Sequence, residues 1–352
     1  MSAPPEPRAN PLLVGHDAPL ALFERALRSD RLPHAWLIEG PRGIGKATFA
    51  FRLARRLLAG AGVCPNEPEG ALFRQVANGS HPDLRVLERE INPKSKRRRD
   101  EIVVDDVRDA LEAMAATSAW RGRRVLVVDA ADETNPNAAN ALLKFLEEPP
   151  PDAVILLVCH NPGRVLPTVL SRCARLKLKP LAEGGVAGLL PRLDPDLTPA
   201  EAKALAALAG GSPGRAFDLR EHGILQTYGL VLRTLASSLS PAERALQALG
   251  HLERPLAGGV ALASGVLLDV VHRKAMLAAG RPPDPPLVDD EAGRLEALAP
   301  GLPLDRWLTL WNKLARLPGR VEGLNLDPKQ ALLLAGQAVA EGRPGLVDGD
   351  PP

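Results

Sequence analysis

The chain contains one segment, residues 40–46, that matches the phosphate-binding pattern GxxxxGK. A short continuous apolar run precedes it at residues 35–38, and an amphipathic helical pattern follows over residues 47–59. A strand before the loop and a helix after it argue against a chance glycine-rich turn, because backbone amides at a helix N-terminus bind phosphate oxygens. The predicted phosphate ligands of this nucleotide-binding loop are Gly40, Gly43, Gly45 and Lys46.

Short apolar runs alternate with helical patterns through the first half of the chain. Residues 125–128 and 153–159, like residues 35–38, are too short and too continuously apolar for amphipathic helices, so they predict buried strands. Asn135, a typical N-cap residue, precedes a helical pattern over residues 136–146. This alternation predicts an α/β fold with a parallel sheet covered by helices on both faces.

The strand pattern ends near residue 178, and this change predicts three domains and a tail. Residues 1–178 form the P-loop nucleotide-binding domain, and residues 179–223 form a small helical lid. Residues 224–343 form an all-α domain of about five or six helices. Breaks between these helices are expected at Pro241, Pro255, residues 282–286, Pro303, Pro318 and Pro328. Residues 344–352 are rich in Gly, Pro and Asp and are expected to be disordered.

Composition argues against an independent nucleic-acid-binding protein, a disulfide-bonded secreted protein and a membrane protein. A net charge of +2 creates no global field that attracts nucleic acid, and an aromatic content of 3% leaves few stacking platforms for unpaired bases. The three cysteines lie far apart, which fits a reducing compartment. The chain has neither a secretory signal at its start nor an apolar stretch of about eighteen residues. We therefore expect a cytoplasmic protein without membrane contact or disulfides.

The residue after the loop lysine departs from a working ATPase. Ala47 stands where Ser or Thr would offer a hydroxyl to magnesium. Thr48 follows one residue later, and on a helix this shift rotates the side chain by about 100°. We expect weak binding of ATP or ADP, with magnesium poorly held. Thr48 is a candidate nucleotide-binding residue that does not simply replace the missing magnesium ligand.

Three segments then occur in a specific order: residues 34–41 (HAWLIEGP), 137–150 (NAANALLKFLEEPP) and 170–173 (LSRC). Together they resemble the bacterial clamp-loader family of AAA+ proteins. The resemblance covers the first predicted domain well, residues 210–217 moderately, and the last domain only through its helical character. It implies a role in DNA replication, with the all-α domain as an oligomerisation collar.

The resemblance also implies roles for two arginines. In that family the arginine of the Ser-Arg-Cys box contacts the ATP site of the neighbouring subunit, so Arg172 would be an arginine finger supplied in trans. Without the box, a surface ion pair would be the simpler interpretation. Residues 211–216 resemble the sensor 2 segment, in which Arg215 would contact nucleotide. An arginine that only packs at a helix start is the alternative for Arg215.

The strand over residues 125–128 ends at Asp129, the position of a Walker B aspartate near magnesium. An active AAA+ ATPase has a glutamate directly after it, but this chain has Ala130. Asp132 and Glu133 follow, and we interpret them mainly as solvated or capping charges, with catalysis as the alternative. A complete water-activating site is therefore not predicted.

Three further features bear on which kind of subunit this is. Cys159 and His160 replace the Thr pair usual at sensor 1 of the ATPase subunits, and His160 is interpreted as structural or solvent-facing. Only Cys64 lies where the family often carries a four-cysteine zinc module, so no zinc is predicted. The basic run at residues 94–99 is interpreted as a solvated loop, with phosphate contact as the alternative.

These features favour a clamp-loader subunit that does not hydrolyse ATP itself and completes a neighbour's site through Arg172. One alternative is an active, tau/gamma-like ATPase subunit that uses Thr48 and Asp132 in unusual roles. A small-molecule P-loop kinase is another, but it leaves the Ser-Arg-Cys box unexplained. The resemblance implies membership of the DNA polymerase III holoenzyme. The implied partners are the delta and tau/gamma subunits, with the sliding clamp and primed DNA reached through the complex.

Overall fold

The computed structural model describes residues 5–29, 31–60, 63–90, 99–115 and 122–348. The chain divides into two compact units. The first contains residues up to 189 together with residues 211–214, and the second contains residues 190–210 and those from 215 onward. This division differs from the three predicted domains, because the predicted lid of residues 179–223 is shared between the two units.

The first unit is built on a parallel sheet, as predicted for an α/β protein. Its five strands in the described residues are β1 (Ala35–Glu39), β2 (Leu84–Glu88), β3 (Arg124–Asp129), β4 (Ala153–Cys159) and β5 (Ala174–Lys177). Their order across the sheet is β2-β3-β4-β1-β5. β1 and β4 are buried at every residue, as their continuous apolar runs predicted. Because all strands are parallel, the segments that follow β1, β3 and β4 emerge at one edge, where α/β proteins bind ligands.

Helices cover both faces of this sheet. In chain order they are α1 (Asp17–Arg28), α2 (Lys46–Leu58), α3 (Ala71–Ala77), α4 (Val104–Ala115), α5 (Pro136–Glu147) and α6 (Pro167–Leu170). A further helix, α7 (Glu183–Leu193), follows β5, and its last four residues belong to the second unit. Apolar residues of α1, α2 and α3 share a core with one face of the strands. Residues of α4, α5 and α6 share a core with the other face. The predicted N-cap is confirmed, since Oδ1 of Asn135 accepts a hydrogen bond from the Ala138 amide at 2.8 Å.

The rest of the described chain is helical, as predicted. Its helices are α8 (Pro199–Ala209), α9 (Pro213–Glu221), α10 (Ile224–Leu235), α11 (Pro241–His251), α12 (Glu253–Ala257), α13 (Val260–Ala278), α14 (Glu291–Ala297), α15 (Leu304–Gly323) and α16 (Pro328–Glu341). The break expected at Pro318 is wrong, because Pro318 lies inside α15. Buried Leu314, Leu317 and Val321 on either side of it anchor that helix. None of the described helices is both long and apolar enough to cross a membrane.

The predicted disordered tail needs correction. Pro344–Asp348 form a short 3-10 helix in which Pro344, Leu346 and Val347 are buried. Asp348 forms ion pairs with Lys313 and Arg320 of α15. The apolar pair Leu346 and Val347 therefore anchors this segment despite its Gly and Pro content. Residues 349–352 lie outside the described residues.

Candidate functional site

The phosphate-binding loop connects β1 to α2, as predicted. Gly43 and Gly45 have φ angles of 75° and 96°, which residues with a Cβ rarely adopt. A Cβ at Gly40 would lie 2.5 Å from the carbonyl oxygen of Leu178, so a larger residue cannot fit there. The glycines are thus required by the backbone, and they bring the loop to the N-terminus of α2, where amides can bind an anion.

Lys46 is the first residue of α2, and it is buried, with 3% of its surface exposed. Its Nζ donates a hydrogen bond to the carbonyl oxygen of Pro41 at 2.6 Å. Burial lowers the pKa of Lys46 to about 8, although the nearby Asp129 and Asp132 raise it. The loop lysine therefore lies close to both acidic residues and already has an acceptor within the loop.

Residues 211–214 pack directly on the phosphate-binding loop. Oγ of Ser212 donates to the carbonyl oxygen of Arg42 at 3.1 Å, and the amide of Gly214 donates to that of Gly43 at 2.9 Å. A Cβ at Gly214 would lie 2.8 Å from the Gly43 Cα. The segment that resembles sensor 2 is therefore in backbone contact with the loop.

Arg215 is exposed in the first turn of α9. Its charge acts on Asp269 of α13, whose pKa burial raises to about 6, while Arg215 and Arg273 lower it. The structure thus places Arg215 near an acidic group of the second unit, and nucleotide contact by Arg215 stays a prediction.

The magnesium side of the site is incomplete. Asp129 ends β3 between Glu88 of β2 and Val158 of β4, the position expected of a Walker B residue. Ala130, which follows it, is 1% exposed and offers no group to water. Thr48 is half-buried on the first turn of α2.

Asp132 caps the loop that follows β4. Its Oδ1 accepts a hydrogen bond from the His160 amide at 2.8 Å, and its Oδ2 accepts one from the Asn161 amide at 2.9 Å. Asp132 is 6% exposed, so the expectation of a solvated charge is wrong and that of a capping charge is right. Both oxygens are engaged, which leaves this carboxylate poorly suited to activate water.

Glu133 is likewise buried, with 9% of its surface exposed, so the expectation of a solvated charge is wrong here too. It forms ion pairs with Arg42 of the phosphate-binding loop and with Nε of Arg89 at 2.7 Å. Arg42 and Arg89 lie 91 and 44 positions before Glu133 in the sequence, and only the parallel sheet brings them to it. Sequence reasoning found neither pair.

Cys159 and His160, at the sensor 1 position, do not provide a base that could replace the glutamate missing at Ala130. Burial lowers the pKa of His160, and the charge of Lys46 lowers it further, which favours the neutral imidazole. Burial also raises the pKa of Cys159 to about 12, so its thiol stays protonated. His160 is half-buried and its Nδ1 has no hydrogen-bond partner among the described residues. A structural role for His160 fits this environment.

Arg172 lies just after α6, at the surface of the first unit. Its Nη2 lies 2.9 Å from Oε1 of Glu147, and its Nη1 donates to the carbonyl oxygen of Thr168 at 3.0 Å. The side chains of Arg172 and Glu147 are 37% and 52% exposed. The surface ion pair considered as an alternative is thus present. It also orients the guanidinium, which remains accessible to another molecule.

Other predicted features carry less information. Cys64 is exposed, and burial raises the pKa of Cys173 to about 11, which fits a packing role. Within the described ranges, no three His, Cys, Asp or Glu side chains cluster closely enough to hold a metal ion. Of the basic run at residues 94–99, all but Arg99 lie outside the described residues.

Fold and site together define an α/β protein with a P-loop motif, in which Ala47 and Ala130 occupy the positions of the magnesium-binding hydroxyl and the catalytic glutamate. A family model described as DNA polymerase III, delta subunit, matches residues 15–182. The DNA polymerase III subunit delta-prime of Escherichia coli is 32% identical over 66% of this chain and 70% of its own length. The chain belongs to this family of DNA polymerase III delta-prime subunits.

Two other relatives define how far the similarity reaches. The delta-prime subunit of Pseudomonas aeruginosa is 44% identical over 54% of this chain and 57% of its own length. The chain thus matches little more than half the length of this relative. The tau subunit of Escherichia coli is 34% identical, but over only 48% of this chain and 25% of its own length. The tau match is therefore the shorter one, although its percent identity is similar to that of the Escherichia coli delta-prime subunit.

The position of Asp132 predicts a structural role that can be measured. We expect Asp132→Asn to lower the free energy of unfolding by about 1–3 kcal/mol, because an amide nitrogen would replace one of two acceptors facing backbone N–H groups. Urea denaturation followed by circular dichroism measures this. The control is Asp109→Asn, an exposed carboxylate of α4, which should change stability by less than about 0.5 kcal/mol. Unchanged stability of Asp132→Asn would contradict the capping role.

Proposed function

We propose that the chain is a subunit of the DNA polymerase III clamp loader that organises the complex without hydrolysing ATP, and that Arg172 completes the ATP site of a neighbouring subunit. The observation that carries this proposal is a contrast within one domain. The chain's own site lacks two catalytic groups, at Ala47 and Ala130, and its nearby carboxylates are engaged. Arg172, by contrast, is oriented and accessible.

A guanidinium suits this role for a chemical reason. Phosphoryl transfer develops charge on the equatorial oxygens, and a planar fork of N–H donors can bind two of them at once. The acceptors that hold Arg172, Glu147 and the Thr168 carbonyl, restrict its motion before a partner arrives. A group positioned in advance loses less freedom when the neighbouring site forms.

The proposed partners are the delta and tau/gamma subunits of the loader, in the cytoplasm. Sliding clamp and primed DNA would be reached through the complex. Residues 224–343 would act as the collar, and α15 offers a surface for that contact. Four exposed apolar side chains lie on it and in the turn after it: Leu308 (48% exposed), Trp311 (38%), Leu324 (64%) and Leu326 (40%). Leu308 and Trp311 are three residues apart on α15, so they are neighbours on one helix face and favour burial against another protein.

The collar surface predicts a selective loss of assembly. The double substitution Leu308→Ser and Trp311→Ser should leave a folded, helical chain by circular dichroism, because neither side chain belongs to the buried core, while weakening binding to loader subunits by about tenfold or more. Size-exclusion chromatography of the mixed subunits measures complex formation. Leu22→Ser, at an exposed leucine of α1, is the control. Full assembly by the double variant would exclude this surface.

The nucleotide site predicts weak, pH-dependent binding without turnover. Since only the ammonium form of Lys46 attracts phosphate and its pKa is about 8, affinity for ADP should fall by up to about tenfold per pH unit above pH 8. Titration calorimetry between pH 7.5 and 9.5 measures this. Lys46→Arg, which stays charged, should lose the dependence. Robust magnesium-dependent phosphate release by the isolated chain would favour the active-subunit alternative.

The finger predicts a defect that appears only in the assembled loader. Arginine fingers contribute about 10³ to 10⁵ in rate in GTPases, so Arg172→Ala should lower DNA-stimulated ATP hydrolysis and clamp loading by at least about tenfold, with folding and assembly intact. Arg172→Lys should rescue poorly, because an ammonium lacks the planar fork.

The matched control for Arg172 is Arg164→Ala, an exposed arginine eight residues earlier in the chain. Each variant is assembled with wild-type partners and assayed for phosphate release and for clamp loading on primed DNA. Undiminished activity in the Arg172→Ala complex would reduce Arg172 to a surface ion pair.

A further inference from the structure

The carboxylate of Glu133 reaches from the end of β3 to the phosphate-binding loop. Its backbone is fixed, because the Glu133 carbonyl accepts a hydrogen bond from the Ile102 amide at 2.8 Å. Its side chain is 9% exposed and pairs with two arginines, Arg42 of the loop and Arg89 after β2. The buried Glu133 carboxylate thus pairs with Arg42, a basic residue of the phosphate-binding loop.

The two ion pairs of Glu133 differ in character. Arg89 is 27% exposed and holds Oε2 at 2.7 Å, so it compensates the buried carboxylate from the sheet side. Arg42 is 68% exposed and holds Oε1. A pair with one solvated partner contributes little to stability. Arg42 can therefore leave Glu133 without leaving the carboxylate uncompensated, because Arg89 remains.

The second basic residue of the loop, Lys46, also has a partner, but that partner is a backbone carbonyl. Nζ of Lys46 donates a hydrogen bond to the Pro41 carbonyl. Ala47 also provides no hydroxyl that could bind magnesium. A nucleotide phosphate entering this loop must find positive charge from side chains. Arg42 and Lys46 are the two basic residues within the loop sequence, and Arg42 is the one held by an acidic side chain.

We propose that Glu133 is a built-in competitor for nucleotide phosphate: it occupies Arg42, and a nucleoside diphosphate or triphosphate binds without magnesium when Arg42 exchanges the carboxylate for a phosphate oxygen. The exchange breaks the charge-assisted hydrogen bond between Arg42 and Glu133 and makes one between Arg42 and phosphate. The net gain in binding free energy is therefore small, and the affinity for nucleotide stays weak. This inference deepens the proposed nucleotide binding and rests on it. It does not depend on Arg172 or on assembly of the loader.

The test raises affinity instead of abolishing it. Glu133→Gln removes the competing charge at nearly constant shape and frees Arg42. Affinity for ADP, measured by titration calorimetry at pH 7.5 with EDTA and no magnesium, should rise by about tenfold or more, the range of a hydrogen bond to a charged group. Adding Arg42→Gln to the Glu133→Gln chain should return affinity to near the wild-type value.

The control is Glu39→Gln, another buried carboxylate at this edge of the sheet, which pairs with Arg175 at 2.5 Å and not with the loop. An equal rise in ADP affinity in Glu39→Gln and Glu133→Gln would indicate only that removing any nearby negative charge favours phosphate binding. That result would overturn the proposal. So would no gain in Glu133→Gln, or a gain that survives the loss of Arg42. Loader assembly and ATPase, measured separately, test the proposed function and are unaffected by these outcomes.

Should Glu133→Gln fail to fold, as judged by circular dichroism, a single Arg42→Gln substitution answers the question. Arg42 is exposed, so the chain tolerates its loss. Because Glu133 already occupies the guanidinium, ADP affinity should then fall by no more than about threefold. A fall of tenfold or more would mean that Arg42 is free to bind phosphate in the wild type, and the competitor role would be wrong.

Discussion

Two adjacent buried carboxylates, Asp132 and Glu133, hold together the ligand edge of the sheet. Asp132 binds the backbone after β4, and Glu133 binds the loop after β1 and the residue after β2. Buried carboxylates are costly unless their oxygens are paired, and here the partners come from three different strand ends. The edge that would surround a reacting phosphate is therefore cross-linked by the protein's own acidic groups.

These contacts give the phosphate-binding loop a structural role of its own. The glycines at 40, 43 and 45 are required by backbone conformation and close packing, and residues 211–214 hydrogen-bond to the same loop. A loop with such structural contacts would stabilise the fold even in the proposed non-hydrolysing subunit. The proposed function would then depend on the surface, where Arg172 and the exposed side chains of α15 are accessible to partners. A subunit that organises others needs a stable framework and accessible contacts more than it needs turnover.

Much of the first unit was predictable from local patterns. Continuous apolar runs located β1, β3 and β4, and the motif located the loop between β1 and α2. β2 was missed because Arg85 and Glu88 interrupt its apolar residues, so no apolar run marks it. Only Leu84 and Leu87 of this strand are buried. The helical break at Pro318 and the disorder at 344–348 were wrong for a shared reason. Proline and glycine content predicts local preference, whereas packing of Leu317, Val321, Leu346 and Val347 decides the outcome.

The identities of the site residues were predictable, but their partners were not. Glu133 and Arg42 lie 91 positions apart, and no periodicity links them. The proposal is that this chain completes a neighbour's ATP site and does not hydrolyse ATP itself. DNA-stimulated ATP hydrolysis by a loader assembled with and without the chain is the most direct test. We predict strong hydrolysis only when the chain is present, and none by the chain alone. Equal hydrolysis in its absence, or turnover by the isolated chain, would contradict the claim.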